Sequence, residues 1–323
     1  MSQTQPAVLV SEVGPRDGLQ SVRLAMPTEA KRRWITALAA AGLREIEIGS
    51  FVPPKLLPQM ADTGDVAAHA LSIGGLQVAA LAPNLRGAHA AFDAGVHKLT
   101  LPVSVTEAHS LANVRKTTSE MRHEVRRAVA LRDERFPGIR IEAGLSVAFG
   151  CAIAGNVSDD DTIRMALAMA ECGVDEVGLS DTSGHAQPNQ VRRLFRRLRG
   201  ELGDKAGGAH FHNTRGQGLA NVVAALDAGV TTFDASQGGL GGCPYAPGAT
   251  GNIVTEDLVY LLEAMGLDTG IDLDALTRAR AVLREALPGE NLYGHVPDAG
   301  LPKGFRYADG RTPRPPQATG AAR

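Results

Sequence analysis

Short apolar segments rich in β-branched residues recur along the chain, and longer segments with helical periodicity separate them. This alternation predicts a mostly parallel sheet with crossover helices, which is an α/β fold. The predicted strands span residues 8–13, 44–49, 76–82, 97–103, 140–147, 174–180, 207–212 and 229–236. Eight βα units over about 265 residues fit a (β/α)8 TIM barrel.

Four similar phrases mark predicted joins between a helix and the next strand: AGLREIEI, AGVHKLTL, CGVDEVGL and AGVTTFDA. Each places a small residue and a glycine where the helix ends, a position that favours glycine. No G-x-G-x-x-G follows the first strand and no G-x-x-x-x-G-K-[ST] occurs. Neither a dinucleotide-binding fold nor a P-loop is therefore expected.

The predicted domain organisation is simple, because no linker-like composition interrupts the βα series. We expect residues 1–298 to form one TIM-barrel domain, including a short helical C-terminal extension around LDALTRARAVLREAL. Residues 299–323 are rich in Gly, Pro, Arg and Ala, and they are predicted to form a flexible tail.

Charge and composition exclude several kinds of partner. The 33 basic and 35 acidic residues give no global field for nucleic acid or an anionic membrane. No apolar run approaches the roughly 20 residues of a membrane span, and the N-terminus lacks the layout of a secretory signal. Cys151, Cys172 and Cys243 form an odd, scattered set that fits a reducing compartment. We therefore expect a cytoplasmic protein with neither nucleic acid nor membrane as partner.

Polar residues are dense at the predicted C-terminal ends of the strands, where TIM barrels form their active sites. His210 and His212 on strand seven point to the same face, because side chains alternate along a strand. Such a pair can chelate a metal, although packed or surface histidines are the commoner outcome for an arbitrary His-x-His. Oxygen ligands from Asp17 and Asn252 would favour Mg²⁺ or Mn²⁺ over a zinc site built from thiolates.

A glycine-rich segment, residues 238–252, follows strand eight and carries Cys243. Such glycine density is typical of an active-site lid, and a thiol on a lid could deliver a proton. The alternative is a solvent loop in which Cys243 is an inert small hydrophobe.

Several motifs together resemble the 3-hydroxy-3-methylglutaryl-CoA (HMG-CoA) lyase family, within the TIM-barrel metallolyase superfamily. They are EVGPRDGLQ (12–20), IEIGSFVPPKLLPQMAD (46–62), APNLRG (82–87), HFHNTRGQGLAN (210–221) and GGLGGCPYAPGATGNIVTEDLVY (238–260). The resemblance spans most of the barrel in the same order. It implies a carbon–carbon lyase that cleaves a tertiary 3-hydroxyacyl-CoA by retro-aldol (reverse Claisen) chemistry.

The resemblance also implies roles for individual residues. The metal ligands would be Asp17, His210, His212 and Asn252, and the cofactor a divalent cation, Mg²⁺ or Mn²⁺. Arg16 would stabilise the thioester enolate, Asp17 would act as base with Glu47 and His210 nearby, and Cys243 would protonate the enolate. The predicted substrate-binding residues are Gln20, Ser50, Asp181, Thr182 and Lys303.

Some positions depart from the family pattern and put the acyl group in question. Glu142 and Gly144 stand where the family carries an arginine and a tyrosine, and Asn213–Arg215 replaces Asp-Thr-Tyr. Residues 104–113 lack the paired lysines usual in the lyases. His185 is also unusual, either as a surface histidine or as a substrate contact.

The substrate is therefore HMG-CoA or a relative such as citramalyl-CoA, and a homo-oligomer of two or more copies is expected. The main alternative is a condensing synthase of the same superfamily that joins a 2-keto acid and acetyl-CoA. A zinc hydrolase would usually place His-x-His after the first strand rather than the seventh. A non-catalytic binding protein gives no reason for the whole set of polar residues.

Overall fold

A closed barrel of eight parallel strands forms the centre of the protein, as seen in a computed structural model that describes residues 8–241 and 251–313. Neighbouring strands in the barrel are also neighbours in sequence, and the first strand pairs with the last. The strands are β1 (Leu9–Glu12), β2 (Glu45–Ser50), β3 (Gln77–Leu81), β4 (Lys98–Ser104), β5 (Arg140–Ser146), β6 (Glu176–Asp181), β7 (Ala206–Phe211) and β8 (Thr232–Ala235). The predicted (β/α)8 TIM barrel is confirmed.

Helices surround the barrel and connect its strands. They are α1 (Thr28–Ala40), α2 (Thr63–Leu71), α3 (Leu85–Asp93), α4 (Glu107–Val114), α5 (Thr118–Arg135), α6 (Asp159–Ala170), α7 (Pro188–Leu202), α8 (Gly218–Leu226), α9 (Thr255–Ala264), α10 (Leu273–Ala286) and α11 (His295–Ala299). None of the helices within the described residues combines the length and the apolar composition that a membrane span requires.

The four predicted joins between helix and strand have the expected backbone. Gly42, Gly95, Gly173 and Gly229 have φ of 109°, 78°, 93° and 86°. Positive φ costs a glycine little, so each helix turns sharply into the next strand. Every strand contains buried residues, and all six residues of β2 are buried, which is typical of parallel barrel strands.

The C-terminal extension packs onto the barrel through α10 and the chain after α11. The backbone N–H of Asp272 donates to the carbonyl of Ala41, at the end of α1. The hydroxyl of Tyr307, which is buried, accepts the N–H of Leu273 at 2.9 Å. The division into a domain over 1–298 and a tail over 299–323 stays a prediction, and these contacts favour a tail that starts beyond Tyr307.

Candidate active site

The strands surround a cavity of about 690 Å³ that opens at their C-terminal ends. The predicted site residues that line it are Arg16, Asp17, Gln20, Glu47, Ser50, Thr182, His210 and His212. They come from β2, from β7 and from the turns after β1, β6 and β7, so the barrel brings together residues that are far apart in sequence. The cavity therefore brings together eight of the predicted site residues.

The turn after β1 brings two charged residues into the barrel. The five residues after Val13 form one turn of π-helix, and all are buried. The carbonyl of Val13 accepts the N–H of Arg16 at 3.1 Å and that of Asp17 at 2.7 Å. Glu12 fixes the start of the turn, because its Oε1 accepts the N–H of Gly14 at 2.9 Å. Adjacent positions in this turn thus present a cation and an anion to the cavity.

Two ion pairs hold the guanidinium of Arg16. Its Nε donates to Glu47 Oε2 and its Nη1 donates to Asp17 Oδ1, both at 2.5 Å. Burial favours the neutral form of Arg16, but the charges of Glu47 and Asp17 outweigh burial and raise its pKa. Burial raises the pKa of Glu47, and the charge of Arg16 offsets only part of that rise. Arg16 is therefore a permanent cation on the cavity wall.

His210 and His212 turn their Nε2 atoms towards the same carboxylate. Each Nε2 lies 3.9 Å from Asp17 Oδ2. The ligand atoms of the three residues lie within 4.8 Å of one another. Two donors bound to one cation at about 2.1 Å lie about 3.0 Å apart at a right angle and about 4.2 Å apart on opposite sides, so a small inward shift of these side chains would let them share one divalent cation. The predicted chelating pair thus has its carboxylate partner in place.

Asp234 on β8 sets the orientation of the first histidine. Its Oδ2 lies 3.1 Å from Nδ1 of His210, and β8 pairs with β7 at these two residues. A hydrogen bond at Nδ1 leaves Nε2 of the ring as the atom that can bind a metal. Burial lowers the pKa of His210, but the hydrogen bond with Asp234 and the charge of Asp17 outweigh it, so the pKa is raised.

Asn252 supplies a further oxygen beside the histidines. Its Nδ2 donates to Asp17 Oδ2 at 2.7 Å and to the carbonyl of Leu240 at 3.0 Å. Its Oδ1 is buried and has no hydrogen-bond partner among the described residues. A buried amide oxygen without a partner is costly, and a divalent cation would satisfy it. The nitrogen and oxygen donors present therefore fit a divalent cation.

The electrostatic environment of Asp17 also suits a metal ligand. Burial raises the pKa of Asp17, but the charge of Arg16 and the neighbouring histidines outweigh it and hold the pKa well below its usual range. The carboxylate is therefore ionised at neutral pH. A group with so low a pKa is a good ligand for a cation and a weak base.

A second set of charges, here called the floor cluster, closes the lower end of the barrel. It consists of Lys98, Glu45, Glu142 and Glu176. The ammonium of Lys98 lies 2.8 Å from Glu142 Oε2, and 3.3 Å and 3.1 Å from oxygens of Glu45 and Glu176. Burial raises the pKa of Glu142 to about 7, although the charge of Lys98 lowers it. Lys98, Glu45 and Glu142 also line the cavity, whose lower end is thus charged.

The predicted substrate-binding residues that line the cavity differ in their contacts. Gln20 donates to Asp17 Oδ1 at 2.7 Å, which supports the metal centre. The hydroxyl of Thr182 accepts the N–H of Val147 at 2.9 Å. The hydroxyl of Ser50 is buried without a hydrogen-bond partner in the part of the chain that the structure describes. All three side chains therefore keep bonding capacity for a ligand.

The other predicted substrate-binding and catalytic residues do not line the cavity or lie outside the residues that the structure describes. Asp181 Oδ1 accepts the N–H groups of His185 at 2.7 Å and Ala186 at 3.0 Å, so it shapes the turn after β6. Lys303 is exposed and is not among the residues that line the cavity. Cys243 lies outside the described residues.

Two of the departures from the family pattern have local roles. Arg215 donates to the carbonyls of Ser183 and Gly184, at 3.1 Å and 2.7 Å, and so ties the turn after β7 to the turn after β6. His185 lines a separate groove beside Phe149, outside the main cavity.

The sequence analysis missed Asp234 and Lys98. Asp234 could have been found, because it is an acidic residue inside an apolar predicted strand and two positions before a serine. Lys98 gave a weaker signal, since its partners lie on strands that are distant in sequence.

Together the fold and the site define a TIM-barrel protein with a candidate divalent-metal centre. A family model described as HMGL-like matches residues 7–283. Hydroxymethylglutaryl-CoA lyase YngG of Bacillus subtilis is 42% identical over 289 residues, which cover 88% of this chain and 96% of that protein. The chain belongs to the HMGL-like family.

Two further relatives are informative. The (R)-citramalyl-CoA lyase of Chloroflexus aurantiacus is 38% identical over 284 residues, covering 84% of this chain and 89% of that protein. A solved structure of an HMG-CoA lyase from Acinetobacter baumannii, in complex with coenzyme A and 3-methylmalate, superposes with a TM-score of 0.86. It is 36% identical in sequence, and the match covers 93% of this chain and 97% of that one.

Proposed function

We propose that this protein cleaves the C2–C3 bond of a tertiary 3-hydroxyacyl-CoA in a reaction that requires a divalent cation. Its family membership makes it a carbon–carbon lyase that acts on a CoA thioester. HMG-CoA is the leading substrate, with acetyl-CoA and acetoacetate as products, and citramalyl-CoA is the second. The observation that carries the proposal is the meeting of Asp17, His210 and His212 in the cavity that Arg16 lines.

The proposed ligands of the cation, either Mg²⁺ or Mn²⁺, are Asp17, His210, His212 and Asn252. When bound, the cation supplies Lewis acidity to oxygens of the substrate. Asp234 supports this site by holding the ring of His210, and Gln20 does so by its hydrogen bond to Asp17. Ser50 and Thr182 are proposed contacts of the acyl group, because both line the cavity.

Glu47 is the proposed base that takes the proton of the 3-hydroxyl. Asp17 was expected in this role, with Glu47 and His210 nearby, but the lowered pKa of Asp17 makes it the weaker base. Burial raises the pKa of Glu47. Its Oε1 is buried and has no hydrogen-bond partner among the described residues, while Oε2 stays with Arg16. One oxygen is thus available for the proton.

The bonding changes follow from loss of that proton. The oxygen's electron pair forms the carbonyl of the departing keto acid as the C2–C3 bond breaks. The electrons of that bond pass to the thioester as an enolate, and Arg16 stabilises the negative charge that develops on the thioester oxygen. A proton then adds to C2 and gives acetyl-CoA. Cys243, outside the described residues, is the proposed donor.

The test is incubation of the purified protein and Mg²⁺ with HMG-CoA and, separately, with citramalyl-CoA, with the products identified by mass spectrometry. We expect acetyl-CoA together with acetoacetate from the first substrate or pyruvate from the second. EDTA should abolish both reactions, and added Mg²⁺ or Mn²⁺ should restore them. Release of free CoA without a keto acid would reject a lyase in favour of a thioesterase.

We also propose that the protein is cytoplasmic and assembles as a homo-oligomer of two or more copies. Light scattering of the purified protein measures the mass of the assembly directly, and the mass of a monomer would reject the proposed homo-oligomer.

A further inference from the structure

The cavity continues below the candidate metal centre. On β7, Gly208 is the next residue inward from His210 on the same face, about 6.6 Å further along the strand. Gly208 lines the cavity together with Gly144 on β5 and Gly178 on β6. These three inward positions carry no side chain, so the barrel interior is open at a depth where packed side chains would normally fill it.

Two of the glycines serve different purposes. A Cβ at Gly178 would lie 2.3 Å from Glu142 Oε1, so Gly178 makes room for the carboxylate. A Cβ at Gly144 would meet only Cγ2 of Thr100, at 3.3 Å. The space beside Gly144 is therefore left for something other than the side chains of this chain.

Glu142, in the floor cluster, presents an acceptor to this space. Its Oε2 pairs with Lys98, and its Oε1 lies beside Gly178, which has no side chain to cover it. The side chain is 15% exposed, and it lines the cavity. An ammonium has three donors, and Lys98 already faces three carboxylates. The unused bonding capacity at the floor is thus on its carboxylates, and Glu142 presents part of that capacity to the cavity.

We propose that the lower cavity receives a 3-substituent longer than methyl that ends in a hydroxyl group, which hydrogen-bonds to Glu142. This inference rests on the proposed lyase function and names the substrate class for the same site. A carboxylate at this end would be repelled by Glu142 and Asp234. A hydrocarbon end would remove water from Oε1 without giving it a hydrogen-bond partner, which costs free energy. A hydroxyl both donates and accepts, so it also pairs with a carboxyl whose pKa is about 7.

The experiment compares kcat/KM for three thioesters: HMG-CoA and two analogues in which a butyl or a 3-hydroxypropyl group replaces the 3-methyl. The two long analogues differ only by a terminal methyl or hydroxyl. We expect the wild-type enzyme to prefer the hydroxypropyl compound over the butyl compound by roughly 10-fold or more. In Glu142→Met the preference should vanish or reverse.

Two further variants keep the test specific. Glu176→Met removes another partner of Lys98 but not a residue that lines the cavity, so the hydroxypropyl-to-butyl ratio should stay at its wild-type value. Gly144→Val fills the open space, so both long analogues should lose activity relative to HMG-CoA. Circular dichroism of each variant checks that it is folded, and Gly144→Val carries the test if Glu142→Met does not fold.

The outcomes separate this inference from the proposed function. Cleavage of HMG-CoA with an equal or better rate for the butyl compound would overturn the inference and leave the lyase function intact. The same hydroxyl preference in wild type and Glu142→Met would also overturn it. Failure to cleave any of the three compounds would overturn the inference, and failure on citramalyl-CoA as well would overturn the lyase function.

Discussion

The barrel has an upper end, at the C-terminal ends of the strands, and a lower end, at the floor cluster. Both ends gather buried charges, but they balance those charges differently. At the lower end the ammonium of Lys98 faces three carboxylates, and Arg140 also pairs with one of them, Glu176. At the upper end the charges of Arg16 and its partners are paired, yet Asn252 Oδ1 and Glu47 Oε1 remain buried without partners among the described residues. Paired buried charges are often structural, whereas unsatisfied buried acceptors at a cavity call for a ligand.

The difference explains why the chemistry is proposed for the upper end and only recognition of substrate for the lower end. The upper end brings the proposed base, the cation Arg16 and the candidate metal ligands together. The lower end offers the carboxylate of Glu142, which lines the cavity. Each prediction below perturbs one end and asks whether the effect falls on catalysis or on stability.

The largest effect is expected from loss of a metal ligand at the upper end. In His212→Ala we expect kcat to fall by about 10³- to 10⁴-fold, because the Lewis acid is no longer held. Titration with Mn²⁺, followed by electron paramagnetic resonance, should show weaker binding. His185→Ala is the matched control, since His185 lines the separate groove. Mn²⁺ affinity equal to wild type in His212→Ala would remove this residue from the site.

Loss of the cation at the lower end should instead reduce stability. Lys98→Met leaves Glu45 and Glu142 of the floor cluster without their counter-charge, whereas Glu176 keeps its ion pair with Arg140. We expect the free energy of unfolding at neutral pH to fall by about 3–5 kcal/mol, measured by urea denaturation. Lys116→Met is the control, because the ion pair of Lys116 with Glu124 lies near the surface and should contribute less than about 1 kcal/mol. Equal losses in the two variants would mean that Lys98 contributes no more to stability than a lysine in an ion pair near the surface.

A conservative change at Arg16 tests electrostatic stabilisation at the upper end. Lysine keeps the charge but cannot donate to Glu47 and Asp17 with the geometry of the guanidinium. We expect kcat to fall by about 10²-fold in Arg16→Lys, with a smaller change in KM, because the interaction strengthens in the transition state. Arg192→Lys, at an exposed pair with Asp227, is the control. A rise in KM alone would assign Arg16 to substrate binding rather than to catalysis.

The smallest effect concerns pH and the floor cluster. The pKa of Glu142 is raised from 4.5 to about 7 in the folded protein, so the folded state binds this proton more tightly than the unfolded state does. Between about pH 4.5 and about pH 7 this group therefore makes stability fall as pH rises. Glu142→Gln should remove that pH dependence. Between these pH values its free energy of unfolding should rise by roughly 1–3 kcal/mol relative to that of the wild-type protein.

Urea denaturation across that pH range measures this difference. Glu134→Gln, at an exposed position, is the control and should follow the wild-type profile. Parallel profiles for Glu142→Gln and wild type would show that the raised pKa does not affect folding.

Much of the upper end could be predicted from sequence, because its signals are local. The His210-x-His212 spacing puts both rings on one side of a strand, and Arg16 and Asp17 follow a predicted strand end directly. The hinge glycines and the apolar segments are local patterns too. Every predicted strand overlaps an observed one.

The lower end could not be predicted, because its contacts depend on closure of the barrel. Lys98 meets Glu45 and Glu142 only after β2, β4 and β5 pack around one interior. Glu142 was recognised as a change in the pocket, but its partner and the open space beside Gly144 required the three-dimensional structure. The contacts of Asp181 could not be predicted either. This residue follows a predicted strand end, but it accepts hydrogen bonds from backbone N–H groups and does not line the cavity.

The most direct test of the central claim is to incubate the Mn²⁺-loaded protein with HMG-CoA in D₂O and to analyse the products by mass spectrometry. Cleavage through an enolate predicts acetoacetate and an acetyl-CoA whose methyl group carries one solvent deuterium, with neither product formed in EDTA. Free CoA with intact 3-hydroxy-3-methylglutarate, or acetyl-CoA formed at the same rate in EDTA, would contradict metal-dependent carbon–carbon cleavage.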